Sequence, residues 1–210
     1  IYENRTLGTQ EQVWQHALGT ALIAASLRLD ADTRVAALCF AVGDVLDHPN
    51  EEIATRYGES VARLVDGLRR LNGLRVITRM TTTASAPEIR AQSEVLRKML
   101  LAMVEDIRVV LLRVASRTQT LRYFTDHPGR TRESIARESL DIYAPLANRL
   151  GIWQLKWELE DLSFRFLEPE TYKRIARMLD ERRVEREQFI VDAVARLKRE
   201  VQAIGVTAEV

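Results

Sequence analysis

Cysteine is almost absent from this sequence, because Cys39 is the only one in 210 residues. One cysteine cannot form a disulfide within the chain, so a packed core has to hold the fold. Cys39 lies in the apolar run at residues 35–40, which predicts a small buried side chain rather than a reactive thiol. The lack of internal disulfides is typical of a reducing compartment, and we expect a cytoplasmic protein.

Neither charge is in excess, and no apolar run is long. The 31 Lys and Arg residues are balanced by 30 Asp and Glu residues, so composition gives no sign of a surface for nucleic acid or anionic lipid. Charged residues interrupt every apolar stretch well before the roughly 20 residues that a membrane-spanning helix needs. We therefore expect no membrane partner and no direct DNA binding.

Histidine is scarce, and none of the three histidines belongs to a metal-binding pair with the spacing H-E-x-x-H. His48 and His127 each precede a proline in an Asp-His-Pro turn, which favours a surface turn over catalysis. His16 follows Trp14 on an amphipathic helix and is expected to be buried and hydrogen-bonded. Phosphate-binding Gly-rich loops and nucleophile elbows are also missing. The residues alone therefore indicate a domain without a complete catalytic site.

Apolar residues at helical spacing are abundant, as in the stripe formed by Val61, Leu64, Val65 and Leu68. Turn-forming residues divide the chain into about nine helices. Strand-like alternation is confined to residues 206–210. The sequence therefore predicts an all-α multi-helix bundle that ends at the start of a strand. The breaks between helices are predicted at residues 47–50, 58, 72–73, 81–87, 126–129, 151 and 168–169.

Two further segments have distinctive compositions. Residues 81–86 are six small side chains in a row, which predicts a mobile surface loop with little area to bury. The last long helix, residues 169–203, mixes both charges densely around a stripe that includes Ile190 and Leu197. A simple terminal helix and a connector to a further domain are both compatible with this pattern, and the strand start after Gly205 favours the connector.

Several long motifs resemble the RelA/SpoT family of bifunctional enzymes, which make and break the alarmone (p)ppGpp. The strongest are YAPLANRLGI at residues 143–152 and KWELED at residues 156–161, of which the second resembles the RelA branch. RKMLLAMVEDIR at residues 97–108 and YKRIA at residues 172–176 support the resemblance. Together these motifs extend it over essentially the whole chain.

The resemblance implies an HD-type hydrolase domain at residues 1–168, a connecting helix at residues 169–203, and the truncated start of a synthetase domain at residues 204–210. It implies a parent GTP pyrophosphokinase, a transferase of the stringent response that moves pyrophosphate from ATP to GTP or GDP with Mg²⁺. The synthetase site would lie outside this chain, so no cofactor is expected here. The expected partners are the parent's own synthetase domain and, through the parent, the ribosome.

The chain departs from the family at the residues that hold the metal ion. Active relatives carry His-Asp where this chain has Phe40 and Ala41, and Glu-Asp where it has Asp44 and Val45. Neither Phe40 nor Ala41 offers a lone pair to a cation.

A second helix carries the remaining departures. Ser116 replaces a ligand carboxylate of the family, and Thr120 replaces a nearby Asn. Only His16 aligns with a family ligand, and one imidazole does not hold a catalytic divalent ion. We therefore expect an inactive pseudo-hydrolase, with neither catalytic nor metal-binding residues, that regulates or stabilises its parent.

Two alternatives remain open at this point. The old pocket could sense a guanine nucleotide without metal, with Arg117 or Arg122 as candidate phosphate contacts. A residual metal-dependent ppGpp hydrolase would need ligands that Phe40, Ala41, Val45 and Ser116 do not supply.

Overall fold

The computed structural model describes residues 2–78 and 106–203, and the chain divides into two compact units, residues 1–167 and 168–210. The described residues form nine α-helices and no strand, which confirms the predicted all-α bundle. The predicted loop at residues 81–86 and strand at residues 206–210 lie outside the described residues. The predicted break at residues 72–73 is wrong, because one helix runs through both from Glu59 to Thr78; an isolated glycine is tolerated inside a helix. The helices are α1 (Val13–Ser26), α2 (Ala31–Leu38), α3 (Pro49–Tyr57), α4 (Glu59–Thr78), α5 (Ile107–Asp126), α6 (Arg132–Glu138), α7 (Ala144–Arg149), α8 (Trp153–Leu167) and α9 (Pro169–Ala203).

Two aspartates set where α2 and α5 begin. Asp30 accepts hydrogen bonds from the amide and the hydroxyl of Thr33, both at 2.7 Å, and Asp106 accepts one from the amide of Arg108 at 2.9 Å. Such caps satisfy amides that have no partner inside the helix. The Arg108 guanidinium also bonds both carboxylates, and its hydrogen bond lowers the pKa of Asp106. Arg108 therefore joins the first turns of α2 and α5.

Helix α5 is the centre of the first unit, since it packs against α1 and α4 on one side and against α8 on the other. Leu112 and Val114 of α5 are almost completely buried, as are Leu64 of α4 and Ala17 of α1. Burial of such side chains supplies most of the stability of a helical domain. The helices before α5 (α1–α4) form one half of the unit, and those after it (α6–α8) form the other. Most residues on α5 therefore face one of these two halves.

The second half of this unit contains a π-helical turn at Ser139–Tyr143, between α6 and α7. Tyr143 is 3% exposed, and Leu146 and Leu159 are buried beside it in the same core. A π-turn widens the helix by one residue and is often found where a side chain must be placed out of the regular register. Here the turn leads directly into the motif at residues 143–152.

The second unit consists, in its described part, of α9, a helix of 35 residues. Phe189, Ile190 and Leu197 on this helix are 72%, 56% and 50% exposed within the chain. A long helix with exposed apolar residues among dense charges is suited to packing against further protein. Among the helices described, none is long and apolar enough to cross a membrane.

Close packing of α4 on α5 depends on Gly67, because a Cβ atom there would lie 2.9 Å from a methyl carbon of Val109. We expect Gly67→Ala to lower the free energy of unfolding by about 1 to 2 kcal/mol, since overpacking outweighs the gain in helix propensity. Urea denaturation measures this change. Gly8→Ala is the control, because a Cβ at Gly8 has no neighbour within 4 Å. Equal stability of the two variants would contradict the packing argument.

Candidate functional site

His16 occupies the centre of the predicted pocket and is 2% exposed. Its Nδ1 lies 2.7 Å from a carboxylate oxygen of Glu11, and its Nε2 lies 2.8 Å from the hydroxyl oxygen of Ser116 on α5. Both ring nitrogens therefore have a partner within the protein. The predicted burial and hydrogen bonding of His16 are confirmed, and two of the predicted site residues, His16 and Ser116, come into direct contact.

Sequence reasoning missed two members of this cluster, Glu11 and Gln119. Glu11 is 1% exposed, and its second carboxylate oxygen accepts a hydrogen bond of 2.8 Å from the side-chain amide of Gln119. Gln119 follows Ser116 by three residues, so both lie on one face of α5. Neither residue belongs to a metal-binding or catalytic motif. In the sequence, the one sign that Gln119 belongs to the site is its position three residues after Ser116.

Phe40 fills the space beside the imidazole, with its ring centroid 5.1 Å from that of His16. Ala41 follows it and is buried. The hydroxyl of Tyr2 holds this turn, because it donates to the carbonyl oxygen of Leu38 at 2.9 Å and accepts from the amide of Ala41 at 3.3 Å. Aromatic and methyl groups thus stand at the two positions where the resemblance implies metal ligands.

The remaining predicted residues do not join the cluster around His16. Asp44 is exposed at the end of a 3₁₀ turn. It lines a pocket of about 230 Å³ with Ala41 and Val45, and another of about 120 Å³ with Phe40. The hydroxyl of Thr120 bonds the carbonyl oxygen of Ser116 within its own helix, at 3.1 Å. A cavity of about 10 Å³ beside Phe40 and Ser116 has room for about one water molecule.

The donor set at this place does not fit the divalent ion that the family implies. In the described part of the chain, no three His, Cys, Asp or Glu side chains come together as a metal site would require. The Nε2 atom of His16 is engaged by Ser116, and a neutral hydroxyl is a poor ligand compared with a carboxylate. The pocket therefore offers hydrogen bonding and apolar contact in place of coordination.

The two arginines considered as phosphate contacts lie in different environments. Arg117 is 2% exposed, with its guanidinium 4.4 Å from the ring centroid of Tyr143 and 2.8 Å from Glu138. Burial alone would lower the pKa of Arg117, but Tyr143 and Glu138 raise it above its usual value. Arg122 is nearer the surface and forms a two-point ion pair with Glu158 on α8. Both guanidinium groups are therefore engaged by protein acceptors.

A larger groove of about 720 Å³ lies apart from the predicted residues. Trp14 and Tyr57 stand at its sides, and Val42 and Ile53 are among the apolar residues that line it. Cys39 also lines it, and burial raises the pKa of its thiol. This groove contains none of the residues that the sequence singled out as a site.

Comparison with known proteins relates residues 1–153 to the HD domain family. The chain is 44% identical over 188 residues to a GTP pyrophosphokinase of Escherichia coli K12, which covers 90% of this chain and 25% of that protein. It is 37% identical over 209 residues to a guanosine-3′,5′-bis(diphosphate) 3′-pyrophosphohydrolase of Vibrio cholerae, which covers 100% of this chain and 28% of that protein.

A GTP pyrophosphokinase of Myxococcus xanthus is 36% identical over 211 residues, covering 100% of this chain and 27% of that protein. The chain thus spans about a quarter of the length of the curated relatives that it matches. The relatives carry names for both synthesis and breakdown, so the names alone do not assign an activity to this chain.

The contrast between Arg117 and Arg122 can be measured. We expect Arg117→Ala to lower the free energy of unfolding by about 2 to 4 kcal/mol, because it removes a buried guanidinium and its contacts with Tyr143 and Glu138. Arg122→Ala is the matched control on the same helix and should cost less than about 1 kcal/mol, since its ion pair is near the surface. Similar losses for both variants, measured in urea, would contradict this assignment.

Proposed function

The chain belongs to the HD-domain family, as the HD domain of a RelA/SpoT-family protein, and we propose that it is a pseudo-hydrolase that regulates its parent. In this proposal the hydrolase fold is kept and its metal chemistry is lost. The observation that carries it is the 2.8 Å hydrogen bond between Nε2 of His16 and Ser116. That nitrogen is the only family ligand that the sequence retains, and it is no longer directed at a cation.

Hydrolysis in a metal-dependent site requires an ion that lowers the pKa of a bound water and a carboxylate that orients it. Phe40, Ala41 and Ser116 supply no carboxylate or imidazole to hold the ion. The one acidic side chain left at the family's Glu-Asp positions, Asp44, lies exposed on the 3₁₀ turn. These substitutions remove both the ligands that would hold the metal ion and the carboxylate that would activate the water.

The relatives and α9 support the proposed regulatory role. Relatives named as GTP pyrophosphokinases are about four times longer than this chain, so most of such a parent lies outside it. Exposed Phe189, Ile190 and Leu197 give α9 an apolar surface for further protein. We place the domain in the cytoplasm, coupled through α9 to a synthetase domain that transfers pyrophosphate with Mg²⁺. Contact with the ribosome would then be made by the parent.

The alternative of metal-independent nucleotide sensing has less support. Both proposed phosphate contacts are engaged, Arg117 by Glu138 and Arg122 by Glu158. A phosphate would have to displace a carboxylate from one of them. The cavity beside Phe40 and Ser116, at about 10 Å³, is also far smaller than a nucleotide.

Loss of metal binding can be tested by partial restoration. We expect the wild-type chain to show neither Mn²⁺ binding in calorimetry nor ppGpp hydrolysis. The double variant Phe40→His/Ala41→Asp should also lack detectable hydrolysis, because Ser116 and Val45 still withhold the carboxylates that complete the shell and act on water. Adding Val45→Asp, Ser116→Asp and Thr120→Asn should restore modest activity at most. Vigorous Mn²⁺-dependent hydrolysis by the double variant would contradict the proposal.

Regulation can be tested separately in the full-length parent. We expect removal of residues 1 to 200 to change the rate of ppGpp synthesis by about fivefold or more, as is typical of coupling between domains. The parent carrying Arg122→Ala is the control for a surface change and should retain its rate. An unchanged rate after removal of the domain would contradict a regulatory role and leave the loss of hydrolase chemistry untouched.

A further inference from the structure

We infer that a hydrogen-bonded chain through Gln119, Glu11, His16 and Ser116 replaces the cation as the cross-link between the N-terminal segment, α1 and α5. The inference rests on the proposed function only in that no metal ion is bound at this place. It assigns a positioning role to two residues, Glu11 and Gln119, that belong to no metal-binding or catalytic motif.

The direction of the two hydrogen bonds depends on which nitrogen of the imidazole carries the proton. An ionised carboxylate can only accept, so Nδ1 of His16 carries the proton and donates to Glu11. In the neutral ring Nε2 then holds the lone pair and accepts from the hydroxyl of Ser116. A metal ion would need that same lone pair. Nε2 therefore cannot accept a hydrogen bond from Ser116 and coordinate a metal ion at the same time.

The other end of the chain depends on close contact between α1 and α5. Gln119 donates to Glu11 at 2.8 Å, so both oxygens of this buried carboxylate are satisfied. A Cβ atom at Gly19 would lie 2.2 Å from the side-chain oxygen of Gln119. Position 19 must therefore be a glycine, because any side chain there would occupy the space of the Gln119 amide beside α1. The sequence therefore provides Gln119 on α5 as a partner for Glu11, and Gly19 on α1 as the gap that admits its side chain.

Glu11 also anchors the segment that precedes α1. The amide of Leu7 donates to the carbonyl oxygen of Glu11 at 2.8 Å, and the amide of Val13 donates to that of Arg5 at 2.9 Å. Gln10 has a φ of 71°, a left-handed conformation that is unfavourable for a residue other than glycine. The buried bonds of Glu11 offset that cost. Residues 5–13 thus form a folded turn that is attached to α5 through one carboxylate.

The cross-link joins distant parts of the chain. Glu11 and Gln119 are 108 positions apart, and His16 and Ser116 are 100 positions apart. Closing loops of this length costs conformational entropy, which the contacts between the joined segments must offset. An ion bound to His16 and to a carboxylate at position 116 would join the same two helices. The connection is therefore kept while the chemistry that made it changes.

Ser116→Ala tests the cross-link in the intact 210-residue chain, because it leaves Nε2 of His16 buried without a donor. We expect the Tm to fall by about 3 to 8 °C. Amide exchange at Leu7, Gln10 and Val13 should become about tenfold faster. Ser116→Thr keeps a hydroxyl and should recover at least half of the loss. Thr125→Ala is the matched control on α5, since its hydroxyl bonds a carbonyl of its own helix.

The outcomes separate the cross-link from the proposed function. The cross-link is wrong if Ser116→Ala and Thr125→Ala have the same Tm and the same exchange at residues 7–13. It is supported if only Ser116→Ala loses stability and Ser116→Thr recovers it, with a wild-type Tm unaffected by Mn²⁺ or a chelator. A wild-type Tm that rises with Mn²⁺ would contradict the metal-free pocket and, with it, the replacement of the ion.

Discussion

Helix α5 is buried around most of its circumference, so its polar side chains must find partners in both halves of the first unit. Ser116 and Gln119 meet His16 and Glu11 on one side. Arg117, one residue after Ser116, meets Glu138 across the helix. Since unpaired buried polar groups cost several kcal/mol, these pairings restrict how α1 and α6 can sit against α5. The arrangement of the whole unit depends on this one helix.

The same constraint explains how a metal site can be lost without loss of the fold. Removing a ligand carboxylate at position 116 would leave Nε2 of His16 buried without a partner. Serine at position 116 supplies a donor of the right length, and Phe40 fills the volume beside it. In the proposed pseudo-hydrolase, the substitutions that remove the metal ligands therefore also fill the pocket and satisfy its hydrogen bonds. Metal binding is difficult to restore in such a pocket, because each ligand that is put back disturbs a contact that is already satisfied.

Relatives named for synthesis and for breakdown of the alarmone share this domain with the chain. Within such proteins an inactive domain can still act by packing, because coupling between domains needs differential contacts and not chemistry. α9 has exposed apolar residues such as Phe189 that fit this role. The proposed regulation and the proposed loss of hydrolysis are therefore compatible properties of one fold.

Local patterns in the sequence determined the helical class and the burial of His16, and they predict the loss of the family's ligands at Phe40, Ala41 and Ser116. These follow from side-chain chemistry and helical periodicity, which are readable residue by residue. Only the tertiary structure decided that Ser116 bonds His16, that Glu11 and Gln119 complete the cluster, and that Arg117 lies under Tyr143. Those contacts join residues up to 108 positions apart, and packing of α5 against both halves brings them together.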